Sequence, residues 1–233
     1  MRVKMSDLEK IKDLLISEHP PEYKLEIATW VEYLRDKSGL DTYSSRLLAR
    51  EREDALAEIQ AAYFLETKLG CKQEEWQVPN LSSGAADFSF RDHDDLLCFC
   101  EVKRPSWKNQ VVKSKGKQAQ RLRGPRCKTE AYWGDPMVDI KDKIKSSYSQ
   151  MDKDRPNVLI FMCDNLRIGH SPVGSPMMFT LALQEDNVEM ALLKRYPFIS
   201  SVLALHIRSE DGRINYAYEY RANPWASISV RIT

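Results

Sequence analysis

The 233-residue sequence has only five cysteines, and an odd number in a chain of this size argues against a disulfide framework. It has no uninterrupted apolar run near the ~20 residues that span a bilayer, so no transmembrane helix is expected. Its amino terminus, MRVKMSDLEKIKDLL, turns amphipathic and charged at once, without the apolar stretch and small-residue cleavage site of a secretory signal. These absences lead us to expect a cytoplasmic protein with no membrane partner. Also missing are a Cys-x2-Cys pair, a Gly-x-Ser-x-Gly elbow and a Gly-x4-Gly-Lys phosphate loop. Sequence support for a zinc module, a serine hydrolase or a nucleoside triphosphatase is therefore lacking. There is no internal repeat. Nor is there an excess of one charge: 35 Lys+Arg against 34 Asp+Glu give +1.

What is present is apolar material for a core, 42% of residues, with 30% charged, which excludes a disordered polyelectrolyte and fits one compact domain with an appendage. The near-neutral charge is an average over unlike parts. Between Val102 and Thr129 stand ten basic residues and no acidic one: Lys103, Arg104, Lys108, Lys113, Lys115, Lys117, Arg121, Arg123, Arg126 and Lys128. The rest of the chain holds 25 basic and 34 acidic residues, a net of −9. A block this one-sided repels itself unless a polyanion neutralises it, and nucleic-acid phosphate is the natural partner; a solvated loop is the plain alternative. Trp107 and Trp133 flank the block, as stacking platforms for unpaired bases or as anchors of the loop.

Hydrophobic spacing predicts helices over 6–17 and 22–37, separated by His19-Pro20-Pro21, and a longer helix from a cap at Asp41-Thr42 or Ser44-Ser45 to Leu69, closed by Gly70. The stripe of the long helix is Ala55, Ile59, Ala62, Leu65 and Leu69, with Glu58 on its shoulder, where a carboxylate must find a partner or a polar cavity. Strands are expected at 76–78, 85–91 and 96–104, the last two joined by a turn at Asp92-His93-Asp94-Asp95. A helix face at Ile140, Ile144, Tyr148 and Met151, a buried strand over 157–163, a loop over 169–176 and a helix over 179–195 follow. A hairpin over 201–208 and 213–220 closes the pattern, its turn at Ser209-Glu210-Asp211-Gly212. The order implies an α/β domain: a central mixed sheet flanked by helices over 41–233, with a helical N-terminal extension over 1–40 and a C-terminal β-hairpin.

The residues with chemistry gather around the second hairpin. Asp87 lies on its first strand; Glu101 and Lys103 lie two apart, hence on one face, at the polar end of an otherwise apolar strand. Two carboxylates at a sheet end suit a hard divalent ion such as Mg2+, and a lysine beside it can hold a water or a phosphate oxygen. Phosphodiester hydrolysis needs those parts. Asp92, Asp94 and Asp95 are alternatives for the first acid, though they fall in the predicted turn. Glu101 and Lys103 read alone are an ion pair, Glu58 a helix-surface acid and Gln150 a surface glutamine. Cys98 and Cys100 share a strand face and could meet Cys163 or His93 around zinc, but buried free cysteine is the commoner outcome.

Asp87 followed by Glu101-Val102-Lys103 resembles the active-site motif of the PD-(D/E)xK phosphodiesterases, the restriction-endonuclease-like superfamily. The resemblance extends to a preceding helix bearing Glu58, to Gln150-Met151 on a following helix and to the buried strand PNVLIFMC, covering roughly residues 50–165. Ala86 departs from it, since a proline often precedes the first aspartate. The resemblance implies a restriction-endonuclease-like core and a nuclease that cuts DNA with metal-activated water. Asp87, Glu101 and the Val102 carbonyl would bind Mg2+, with Mn2+ able to substitute, and Lys103 would position or activate the water. Glu58 would orient metal-bound water or complete a second metal site, and Gln150 would steady the lysine or the phosphate. Arg104 and the basic residues from Lys108 to Lys128 would grip nucleic acid, DNA foremost. A non-catalytic nucleic-acid-binding module of the same fold is the alternative, and a homodimer is compatible with either.

Overall fold

The computed structural model describes residues 5–49, 52–79, 85–104, 136–148, 150–162, 188–210 and 213–233. Lys108, Lys113, Lys115, Lys117, Arg121, Arg123, Arg126 and Lys128 lie outside the described residues, as do both flanking tryptophans, Cys163, the 169–176 loop and the expected 179–195 helix before 188.

Helices α1 (Met5–Glu18) and α2 (Lys24–Asp36) flank a 3-10 turn at Pro21–Tyr23. Pro21 opens that turn, a position where its missing N–H leaves no bond unmade. Leu8, Ile11 and Leu15 on α1 and Ile27, Trp30, Val31 and Leu34 on α2 recur at helical spacing, and all are buried.

The long helix expected from the 41–45 region to Leu69 is instead two, α3 (Leu40–Leu47) and α4 (Arg52–Thr67). A continuous helix rises ~1.5 Å per residue and would hold Arg46 and Glu58 ~18 Å apart along its axis. The break lets α3 fold back, and the two side chains form a 2.6 Å ion pair. Gly70, at φ +72°, reverses the chain after α4.

Six strands follow: β1 (Lys72–Pro79), β2 (Ala85–Arg91), β3 (Leu97–Lys103), β4 (Asn157–Met162), β5 (Ile199–Glu210) and β6 (Arg213–Ala222). They form one mixed sheet in sequence order. β1, β2 and β3 are antiparallel neighbours, β3, β4 and β5 are parallel, and β6 returns antiparallel to β5. β1 is longer than expected because a register shift between Gln73 and Trp76 interrupts its alternation. The β5–β6 ladder reaches Glu210–Arg213, which leaves Asp211 and Gly212, outside the described residues, as the connection.

Helix α5 (Pro136–Ser147) lies in the crossover that the parallel β3–β4 step requires, and α6 (Val188–Leu193) precedes β5. One sheet face, with Phe88, Cys100, Val102 and Ile160, joins α1 to α4 in a single apolar cluster, so the first 40 residues contribute to the same core. The other face, with Leu159, Phe161 and Val202, packs on Ile144 and Met151. α4 is buried nearly all round because it lies between α2 and α3 on one side and β1 to β4 on the other. The α/β expectation, a central mixed sheet flanked by helices with a C-terminal hairpin, holds. Among the described residues no helix is long and apolar enough to cross a membrane.

Candidate active site

Glu101 and Lys103 pair in register with Leu159 and Phe161, so they emerge on the α5 face at the end of β3, while Val102 points to the α4 face. The β2–β3 ladder stops at Phe88–Cys100, and one further step of that register sets Asp87 opposite Glu101. Asp87 Oδ2 accepts the Val102 N–H at 2.7 Å, which ties the carboxylate to the strand end. Lys103 Nζ donates to Glu101 Oε1 and, at 2.6 Å, to Gln150 Oε1. Gln150 is not on a helix as expected: α5 ends at Ser147, and Gln150 sits in the turn beyond, its N–H bonded to the Ser147 carbonyl at 3.0 Å. In that turn Met151 is buried while Tyr148 is exposed, so the two do not share a helix face.

These residues line a cleft of about 290 Å³ where the two sheet faces meet beyond the last β2–β3 pair. Arg46, Asp54, Ala57, Glu58, Arg104 and Lys143 complete the lining. Arg104, expected on nucleic acid, bonds Asp54 at 3.2 Å and lies 3.6 Å from Glu53 on α4.

Glu58 is buried and held by four donors. Its Oε2 accepts Arg46 Nη1 at 2.7 Å, the Tyr43 hydroxyl at 2.7 Å and Gln77 Nε2 at 3.2 Å, and its Oε1 accepts Arg46 Nη2 at 2.6 Å. Three of those bonds fall on Oε2 and one on Oε1, and two of the four come from the Arg46 fork. Its charge still acts on its neighbours. Desolvation pushes the Asp87 carboxyl up to about 8, with Glu58 and then Glu101 adding to it and the Val102 N–H and Lys103 opposing. Desolvation also raises Glu101, against the pull of Lys103. Among the described residues no donor reaches the buried Glu101 Oε2.

The cleft therefore concentrates carboxylate oxygen with too few donors, which is the condition a hard cation relieves. Among the described residues no three His, Cys, Asp or Glu side chains form a ready-made metal cluster. Mg2+ asks for less, taking one or two carboxylates with water and substrate phosphate, and Asp87 with Glu101 fits that demand. Comparison of the chain with protein-family models, curated proteins and solved structures gives no match.

The other candidates fall elsewhere. Asp92 is a turn organiser at the far end of the hairpin, its carboxylate accepting the N–H groups of Asp94, Leu96 and Arg231 at 2.9 Å each. Cys98 and Cys100 are buried free thiols whose pKa burial pushes up, and among the described residues they join no group of three metal-ligating side chains; Cys163 lies outside those residues. Six lining or supporting residues were not anticipated: Arg46, Tyr43, Gln77, Lys143, Asp54 and Ala57. Arg46 and Tyr43 were hidden by the helix break, and Gln77 by its left-handed backbone at φ 49° beside the site. For Lys143, on a charged helix, no sequence signal stood out.

Proposed function

We propose that the chain is a Mg2+-dependent nuclease that hydrolyses DNA phosphodiester bonds, with Mn2+ able to replace Mg2+, built on a restriction-endonuclease-like core. The observation that carries this reading is the convergence of Asp87, Glu101 and Lys103 at the open end of the β2–β3 pair, with Glu101 Oε2 lacking any donor among the described residues. The resemblance of Asp87 and Glu101-Val102-Lys103 to the PD-(D/E)xK motif supports it.

Mg2+ held by Asp87 and Glu101, with the Val102 carbonyl as the resemblance adds, would supply a Lewis acid for the phosphoryl oxygen and lower the pKa of water. The chain's own residues do the rest. Lys103 spends two of its three N–H donors on Glu101 and Gln150, which fixes the ammonium and leaves one donor for a water or a phosphate oxygen. Four cationic side chains and four carboxylates line the cleft, so it is formally neutral alone and +2 with one divalent ion. That charge matches the two negative charges of a phosphodiester under attack by hydroxide.

One observation favours the competing reading, a binding module with no chemistry: Lys103 and Glu101 neutralise each other as a structural ion pair does. Purified protein incubated with Mg2+ or Mn2+ and plasmid, linear and single-stranded DNA separates the two. The nuclease reading expects cleavage that falls by ~10²–10⁴ in Lys103→Ala and Asp87→Ala while DNA affinity persists. Intact DNA bound with a steep salt dependence leaves the binding module instead.

A further inference from the structure

We propose that Arg46 is a substrate-phosphate-binding residue of this cleft and that Glu58 is its positioning residue, not a metal ligand. The inference rests on the nuclease reading and reassigns the one acid whose surroundings do not suit a metal. Glu58 has four donors on its two oxygens, two of them from the Arg46 guanidinium in a fork. Ligating an ion would set a divalent charge against the Arg46 guanidinium that grips both Glu58 oxygens, whereas Glu101 keeps a buried oxygen with no donor among the described residues.

Arg46, by contrast, retains capacity. Its grip on Glu58 uses two of five N–H groups, and among the described residues no other acceptor bonds the remaining three. The side chain lines the cleft and is 26% exposed, so part of the guanidinium reaches solvent there. Its plane is held on both flanks: Glu58 grips the edge, and the Tyr43 ring centroid lies 5.2 Å from the guanidinium carbon. A fixed, permanently charged fork is the donor that phosphate recognition favours.

The other cations of the cleft are less suited to this. Lys103 is committed to Glu101 and Gln150, Arg104 is bonded to the exposed Asp54 on α4, and Lys143 is a point charge on a flexible stem. Tyr43 extends the arrangement to the metal side, because its hydroxyl donates to Glu58 at 2.7 Å and lies 3.2 Å from the Asp87 carbonyl oxygen, which shares the same proton. One network thus sets the anion-binding fork at a fixed place relative to the strand that carries the metal acid.

The test uses the full chain. Glu58→Gln, Arg46→Lys and the double variant Arg46→Gln/Glu58→Gln are compared with the parent for melting temperature, Mn2+ affinity by titration calorimetry, and cleavage kinetics. Binding of a short fluorescein-labelled DNA duplex is measured in a Lys103→Ala background with Mn2+ present. The double variant removes both charges of the buried pair together, which avoids an orphaned ion. We expect Mn2+ affinity within about threefold of the parent in all three variants. We expect DNA binding about tenfold weaker in the double variant, with the salt slope lowered by ~0.9, and a raised KM in Arg46→Lys because the fork is lost. Parent-like DNA affinity and salt slope in the double variant overturn the role of Arg46. A tenfold or larger loss of Mn2+ affinity in Glu58→Gln overturns that of Glu58. A parent protein that binds Mn2+ yet neither binds nor cuts DNA overturns the nuclease reading itself, which is a different result from either.

Discussion

Replacing Asp87 with asparagine should stabilise the metal-free protein, and far more at pH 8 than at pH 5. Asp87 is partly buried beside Glu58 and Glu101, and its carboxyl is raised from 3.8 to about 8. Between those values the folded state keeps a proton that the unfolded chain has released, so stability falls as pH rises and the penalty is complete above about 8. At ~1.36 kcal/mol per pKa unit the ceiling is about 5–6 kcal/mol. The side chain keeps contact with solvent in the cleft, and its proton is shared with coupled neighbours, so we expect about 2 kcal/mol at pH 8. At pH 5 only about 30% of the penalty has developed, or ~0.6 kcal/mol. For a chain of this size that corresponds to a rise in Tm of ~4–8 °C at pH 8 and ~1–2 °C at pH 5. Asparagine keeps an oxygen for the Val102 N–H, so the strand end is preserved. The assay is thermal unfolding by circular dichroism in EDTA. An equal shift at both pH values, or a loss of stability at pH 8, would refute the electrostatic account of the site.

The same crowding of carboxylates makes two further predictions, and the basic segment a third. Mg2+ or Mn2+ at 100 times its Kd should stabilise the parent by ~2.7 kcal/mol, and Asp87→Asn should abolish most of that gain in a thermal-shift titration. Because the ion must displace the Asp87 proton, Mn2+ affinity should rise between pH 6 and pH 8; calorimetry showing no pH dependence would place the ion elsewhere. Replacing Lys113, Lys115 and Lys117 together by alanine should weaken DNA binding across all sequences and flatten the salt dependence by up to ~0.9 per lost phosphate contact, measured by anisotropy.

How far the sequence could be read depended on whether the deciding interactions were local. The β2–β3 hairpin was legible because alternation, the Asp92–Asp95 turn and Pro105 bound it, and its register follows from that turn. Asp87, Glu101 and Lys103 could therefore be placed together from spacing alone. The α3–α4 break was not legible, since residues 41–69 keep helical periodicity throughout and the break is stabilised by long-range bonds of Arg46 and Tyr43 to Glu58. The same event changes the meaning of Glu58: its need for a partner or a polar cavity was expected, but its partners come from a helix whose separation from α4 no local pattern announces. Gln150 was placed on the wrong kind of element for a related reason. The turn after Ser147 still buries Met151, so the apolar spacing continues beyond the helix end. β1 was underestimated because its register shift breaks the period of two by which strands are recognised.

The central claim is that Asp87 and Glu101 hold a divalent ion in the cleft that Lys103 and Arg46 line. Crystals soaked in Mn2+ and measured for anomalous scattering test it most directly. The account predicts one peak bound by an oxygen of each carboxylate at ~2.1 Å, with the Arg46–Glu58 pair intact. No peak in the cleft, or one held by Glu58 with Arg46 displaced, would contradict it.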